Sequence, residues 1–310
     1  MTNIFAKTIA MPSAGYAYAT SAASISVASL ILTLPAQAAS FTQFSFQTNV
    51  TATPTNDPTS SLLNDPTRDI RLDSVEFSGR TINSFEVVTA AEILRNDTYT
   101  LPDGNVYGVL NSGRGPNTPD DALLPEGPSK PNPTAQDIVD SLGNLNLNSI
   151  LVTRENADTA SIEVSFANPV NTFLFWERGG TAGGSVAGDS DLLVEALGEN
   201  NEVIATYKIL KQNYTKADYN ISSQVFPILN NGPFNIGSIG ISLDGITTQR
   251  LRLTSSNNNG LIPGIPNDNG PDFKVIAATV KVVPESSTIM GALLVGGLGI
   301  IFKRKRTVIG

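Results

Sequence analysis

Ile162-Glu163-Val164-Ser165-Phe166-Ala167-Asn168-Pro169-Val170-Asn171-Thr172-Phe173-Leu174-Phe175 decides the fold class of this chain. Ile162, Val164 and Phe166 recur every second residue, and so do Phe173 and Phe175. A period of two places successive side chains on opposite faces of a strand. Ala167-Asn168-Pro169-Val170 between the two runs carries turn residues. The expectation is a hairpin whose strands each bury one face.

The same period extends outward. Ile70 and Leu72, then Val75 and Phe77, alternate on either side of a one-residue slip at Asp73-Ser74, which reads as a bulge. Leu192 to Leu197 and Val203 to Leu210 flank Gly198-Glu199-Asn200-Asn201, a second hairpin turn. Further strands are expected at Phe41 to Val50, Ile82 to Val88, Ile236 to Leu243, Arg250 to Leu253 and Phe273 to Val282. About ten short strands separated by turn chemistry predict an all-β fold, an antiparallel β-sandwich of jelly-roll type.

Helix is expected in one or two short pieces. Thr134 is placed to cap a helix over Ala135 to Leu142, with Asp137 at its third position and Gly143 just past its end. Thr89 and Glu92 are spaced as a capping box for a second turn of helix over Thr89 to Leu94, although Val87-Val88 ahead of them fits a strand equally. Residues 51–68 and 101–133, rich in Pro, Asn, Thr or Gly, read as loop-like insertions.

Composition excludes whole classes of chemistry. The 310 residues include no cysteine and no histidine. Disulfides, cysteine nucleophiles, Ser-His-Asp triads, imidazole bases and the common zinc sites are therefore out of reach. Without Lys7, the four C-terminal cations and Glu285, residues 39–282 hold 15 basic and 27 acidic side chains, a net charge of about −12. That field opposes nucleic acid and anionic lipid as partners.

Both ends read as addresses. Lys7 precedes an apolar stretch that culminates in Ile25 to Leu34, and Ala36-Gln37-Ala38 then supplies an Ala-x-Ala cleavage site. Residues 1–38 are expected to be a secretory signal peptide that signal peptidase removes. At the other end Val283-Pro284-Glu285-Ser286 leads into an uncharged run from Ile289 to Phe302, closed by Lys303-Arg304-Lys305-Arg306. As a helix, residues 289–302 would span about 21 Å at roughly 1.5 Å per residue. Flanking polar residues and snorkelling Lys and Arg would help that transmembrane helix match a core about 30 Å thick. The basic cluster would stay cytoplasmic, with residues 40–282 on the far side of the membrane.

The order of motif, apolar run and basic end over residues 283–310 resembles the PEP-CTERM sorting tail, with Ser286 standing where that family has a second proline. The resemblance implies recognition by an exosortase-type membrane enzyme. The segment Asn171-Thr172-Phe173-Leu174-Phe175-Trp176-Glu177-Arg178-Gly179-Gly180 is similar to a family of cyanobacterial exosortase-dependent surface proteins. Ser141 to Asn148, Gly237-Ser238-Ile239-Gly240, Asp191-Leu192 and Asn269 to Val275 fit the same pattern. This second resemblance implies display on the cell surface or in extracellular matrix and names no activity.

Three candidate sites emerge. Trp176, Glu177 and Arg178 place an aromatic face beside two charges, a set suited to a sugar ligand, and the glycines after them would let a ligand approach the backbone. Asp189, Asp191, Asp268 and Asp272 lie on oxygen-rich loops of the kind Ca²⁺ prefers, although neither loop matches an EF-hand. Glu177, Asp189, Asp191 and Glu195 are the acids a two-carboxylate glycan-cleaving enzyme would draw on. The leading expectation is a non-enzymatic exported protein that associates with extracellular polysaccharide. A calcium-assisted carbohydrate-binding or adhesion module is the alternative, ahead of the enzyme.

Overall fold

The computed structural model describes residues 39–52, 70–100, 102, 104–114, 127–153, 159–181, 185, 187, 188, 190–221, 234–256 and 270–279. The expected signal peptide, the sorting tail with its transmembrane helix, and nearly all of the 51–68 insertion lie outside these residues. No helix among the described residues is long and apolar enough to cross a membrane.

The first strands are β1 (Phe41–Phe44), β2 (Gln47–Ala52), β3 (Ile70–Phe77), β4 (Arg80–Ile82) and β5 (Val88–Asn96). Four short ones follow: β6 (Thr98–Thr100), β7 (Val106–Gly108), β8 (Leu110–Arg114) and β9 (Gly127–Pro131). After helix α1 (Ala135–Leu142) come β10 (Leu151–Thr153), β11 (Thr159–Val170), β12 (Thr172–Thr181), β13 (Leu192–Leu197) and β14 (Val203–Ile209). The last are β15 (Thr215–Ile221), β16 (Phe234–Leu243), β17 (Thr248–Ser256) and β18 (Asp272–Ala278).

Eight of these strands form a jelly roll. Four lie in the order β10-β18-β12-β16 within an eight-stranded sheet, and four in the order β11-β17-β13-β14 within a five-stranded sheet. Successive strands alternate between the sheets except at the β13–β14 hairpin, which is the double Greek-key winding of a jelly roll. The core between the sheets holds Ile162, Val164 and Phe166 facing Phe173, Phe175 and Val275. A three-stranded sheet, β2-β3-β4, adds a third layer. It covers the other face of the eight-stranded sheet through a second core that includes Ile70, Leu72, Trp176 and Ile276.

The first correction falls on the opening stretch. β11 and β12 are strands, but they do not pair. β11 pairs β17 and β5, whereas β12 pairs β16 and β18, so the chain crosses between sheets at Asn171. The expected turn is part of β11. Ala167, Asn168 and Pro169 are exposed in a register shift between Ser165 and Val170, where the missing N–H of Pro169 costs no ladder bond. Alternation marks a buried face, and two facing sheets satisfy it as well as one hairpin does.

Other expectations hold. Asp73 is the extra residue of a bulge, because Asn49 pairs Ser74 while Val50 pairs Leu72. β13 and β14 form the second hairpin, with Asn201 at φ 67° in its turn. α1 has the expected cap, since Asp137 N–H donates to Thr134 Oγ1 at 3.2 Å and Thr134 N–H to Asp137 Oδ2 at 2.9 Å.

Three segments differ. Residues 89–94 are strand, held by β11 pairing rather than by any cap. Phe41 to Val50 is two strands that break at Ser45-Phe46 and enter different sheets. Residues 82–88 contain the end of β4, a lone bridge from Glu86 to Ala277 and the start of β5. The 101–133 insertion contributes β7, β8 and β9, while residues 115–126 lie outside the description. Ser78-Gly79, with φ 49° and 71°, turns β3 into β4, and the Ser-Gly pair is the local turn signal there.

Candidate functional site: a polar cleft between two edge strands

β1 follows the edge of β16 from Phe41, opposite Leu243, to Phe44, opposite Gly240. The chain then leaves that edge, and β15 takes it over, with Thr215 opposite Ser238 and Lys216 opposite Gly237. Where the two strands meet, the Ser45 and Thr215 hydroxyls are hydrogen-bonded at 3.2 Å. β2 meanwhile rises into the third layer. A cleft of about 300 Å³ opens between β2 and β15.

Burial divides the lining into floor and rim. Phe46, Tyr219 and Ser238 are buried, whereas Gln47, Asn49, Lys216 and Asp218 are exposed and Thr48 is intermediate. β15 is irregular here. Between Lys216 and Asn220 it advances four residues while β16 advances two, so Ala217 to Tyr219 bulge away from the ladder. The bulge brings Tyr219, fully buried, into the second core beside Trp176.

Behind the rim, Trp176 Nε1–H donates to Thr48 Oγ1 at 3.1 Å. Thr48 accepts that bond, which leaves its own proton uncommitted to the indole. Burial raises the pKa of the Tyr219 phenol well above the ordinary tyrosine range, although the neighbouring Thr48 and Trp176 groups oppose it slightly. The Tyr219 hydroxyl has no hydrogen bond within geometric limits among the described residues. On the Trp176 side the cleft thus presents hydroxyls from Thr48, Thr215, Tyr219 and Ser238 over the Phe46 ring, while the Asn49 amide donates to Ser74 and Glu76 on the other face of β2.

The residues singled out from sequence fall elsewhere. Trp176 is completely buried, edge-to-face with Phe46 at 5.3 Å between ring centres, so it packs the second core and offers no open platform. Glu177 points to the opposite face of β12, as alternation requires, and lies fully buried near Gly188 and Tyr214. Arg178 returns to the Trp176 side, where it pairs with Asp272 and stacks 4.6 Å over Phe234. Three consecutive strand residues cannot share a face, and these three form no common site.

Of the proposed calcium ligands, Asp189 and Asp268 lie outside the described residues. Asp272 serves Arg178, and Asp191 accepts the Lys211 N–H at 2.7 Å. Among the described residues no three carboxylates gather into a cation site. Glu195 stands on the outer face of the five-stranded sheet, 3.7 Å from Arg252, which also binds Glu163. The whole thickness of that sheet separates Glu195 from Glu177, so these two acids are not a catalytic pair.

No protein-family model matches this chain, and no curated protein matches it in sequence.

Proposed function

We propose that this protein is an exported, tail-sorted, non-enzymatic component of the cell surface or extracellular matrix that associates with extracellular polysaccharide through its β-sandwich domain. The observation that carries the binding part is the β2–β15 cleft. It is open to solvent and lined by hydroxyl-bearing residues over an aromatic floor, with Lys216 and Asp218 at its rim. Its volume of about 300 Å³ sits at the lower end of small-molecule sites, roughly 300–1,000 Å³, which suits one or two sugar units of a longer chain. The export part is supported by Ala36 and Ala38 at one terminus and by Val283 to Ser286, the apolar run and Lys303 to Arg306 at the other. Signal peptidase and an exosortase-type enzyme are the processing partners this reading requires.

Two measurements test it. Intact mass and fractionation of the protein from its own host are compared with a Pro284→Ala/Glu285→Ala variant. Loss of both termini from the parent, with the variant retained full-length in the membrane, is the expected result. Basic tails retained by both would reduce the tail to an ordinary anchor. Co-sedimentation with the host's extracellular polysaccharide tests the binding part, and no sedimentation at any salt concentration would remove it.

A further inference from the structure

We infer that the end of the sandwich where the chain enters β1 and leaves β18 is a base that faces the lipid bilayer, so that the anchored domain stands upright with its opposite end turned outward. This rests on the tail reading above and adds the orientation of the domain and its membrane-facing surface.

Strand register fixes the base. Thr42, Ser242, Thr172 and Ala278 stand opposite one another in a single row across β1, β16, β12 and β18. β1 begins at Phe41, next to that row, and β18 ends on it. At about 4.8 Å per strand, entry and exit are three spacings apart, about 14 Å. Hydrogen bonds close the same end. Ser40 O accepts the Asp244 N–H at 3.1 Å, and the Thr279 hydroxyl donates to Pro169 O at 3.2 Å. The β13–β14 turn lies there too, because Leu197 pairs Arg250 near the start of β17, where Thr248 pairs Val170.

The tether then sets the orientation. Ten residues, 279–288, connect Ala278 to the apolar run that begins at Ile289. Such a chain reaches at most about 36 Å fully extended and averages about 16–19 Å as a flexible coil. β16 alone, from Phe234 to Leu243, is about 30 Å long. The base is therefore held nearest the bilayer. Charge keeps the rest away, because residues 39–282 carry about −12 and an anionic lipid surface repels them. Standing upright brings the fewest of those charges within a Debye length of the lipid, about 8–10 Å. The head of the β2–β15 cleft, at Thr215 opposite Ser238, lies four residues up β16 from Ser242, about 13 Å above the base. That height leaves it open to polysaccharide outside the membrane.

The chain contains no cysteine, so one introduced thiol carries a fluorescent donor alone. Ile246→Cys and Glu199→Cys mark exposed positions at the base, on separate turns. Val106→Cys marks the opposite end, on the β6–β7 hairpin that follows β5 beyond Asn96, opposite Ala160, and its side chain is exposed. Each is placed in the Pro284→Ala/Glu285→Ala chain, which retains its tail, purified from the host and reconstituted into vesicles of phosphatidylcholine and phosphatidylglycerol with acceptor-labelled headgroups. An unchanged melting temperature confirms folding.

The expected result is energy transfer to the lipid from both base positions at least about twofold greater than from Val106, given a height difference comparable with the strand length. Equal transfer from all three positions, or more from Val106, means a domain that lies flat or inverted. Either overturns the inference and keeps the anchored tail. Transfer from none of them, with the chain still floating with the vesicles, holds the base away from the lipid and overturns it as well. A chain that does not float with the vesicles at all overturns the tail reading itself, and the inference with it.

Discussion

Gly237→Ala should destabilise the domain by about 1–2 kcal/mol, and the figure can be built from the contacts of one missing methyl group. Gly237 lies mid-strand in β16, opposite Glu177 on β12 and Lys216 on β15. A Cβ there would fall 2.6 Å from the carbonyl oxygen of Ala187, 2.9 Å from its carbon and 2.8 Å from Tyr214 Cβ. Two of these are backbone atoms, so no side-chain rotation relieves the clash. Forcing a methyl group into a packed site costs about 1–3 kcal/mol. Restricting the unfolded chain returns about 0.4–1 kcal/mol. At roughly 2–4 °C per kcal/mol for a domain of this size, the melting temperature should fall by about 2–8 °C. Thermal unfolding followed by the emission of buried Trp176 measures it directly. Gly245→Asn is the control, because nothing lies within 4 Å of that position and its φ of +77° suits Asn, so it should melt close to the parent. A Gly237→Ala melt within about 1 °C of the parent would mean that Ala187 and Tyr214 do not close over β16, and the reasoning fails.

Three further perturbations read other parts of the structure. Burial works against the Asp137 carboxylate, but Lys130 and the Thr134 N–H and hydroxyl outweigh it and hold its pKa below the ordinary range. Such a group stabilises above its unfolded-state pKa, near 3.9, and loses that contribution as pH falls through its lower folded value. Asp137→Asn should therefore lower the melting temperature at pH 7, and the gap should close in strongly acidic buffer. Arg178→Met should cost roughly 3 kcal/mol in urea unfolding by leaving the buried Asp272 carboxylate without its guanidinium, and adding Asp272→Asn should recover part of it. Trp176→Phe should cost about 1–3 kcal/mol by opening space beside Phe46 and releasing Thr48, without altering the far-ultraviolet dichroism of the sandwich.

The candidate site was less legible than the fold. Trp176-Glu177-Arg178 drew attention because the three are adjacent in sequence, yet a strand sends neighbours to opposite faces and scatters them. Trp176 still borders the cleft, but from behind, as the donor that holds Thr48. The cleft itself brings together β2 and β15, and the contact at its head joins Ser45 to Thr215 across 170 residues. Nothing in the local pattern of either strand marks that meeting. Thr89 to Leu94 failed for a related reason: a capping-box spacing stabilises an isolated helix by about 1 kcal/mol, and the ladder with β11 outweighs it.

What the chain determined by itself is everything that depends on neighbours a few residues away. Alternation declared strands with one buried face, Thr134 and Asp137 declared the start of α1, the slip at Asp73 declared a bulge, and the lack of histidine and cysteine closed off most catalytic chemistry. The tertiary structure alone decided which strands pair, that β11 and β12 face each other from separate sheets, and that β15 replaces β1 along β16. The physical reason is that side-chain alternation is a property of one strand, the same whether its partner is the next strand in sequence or one a hundred residues away. Partner choice is set by how the layers fill their shared cores, and in this protein that choice opens the cleft.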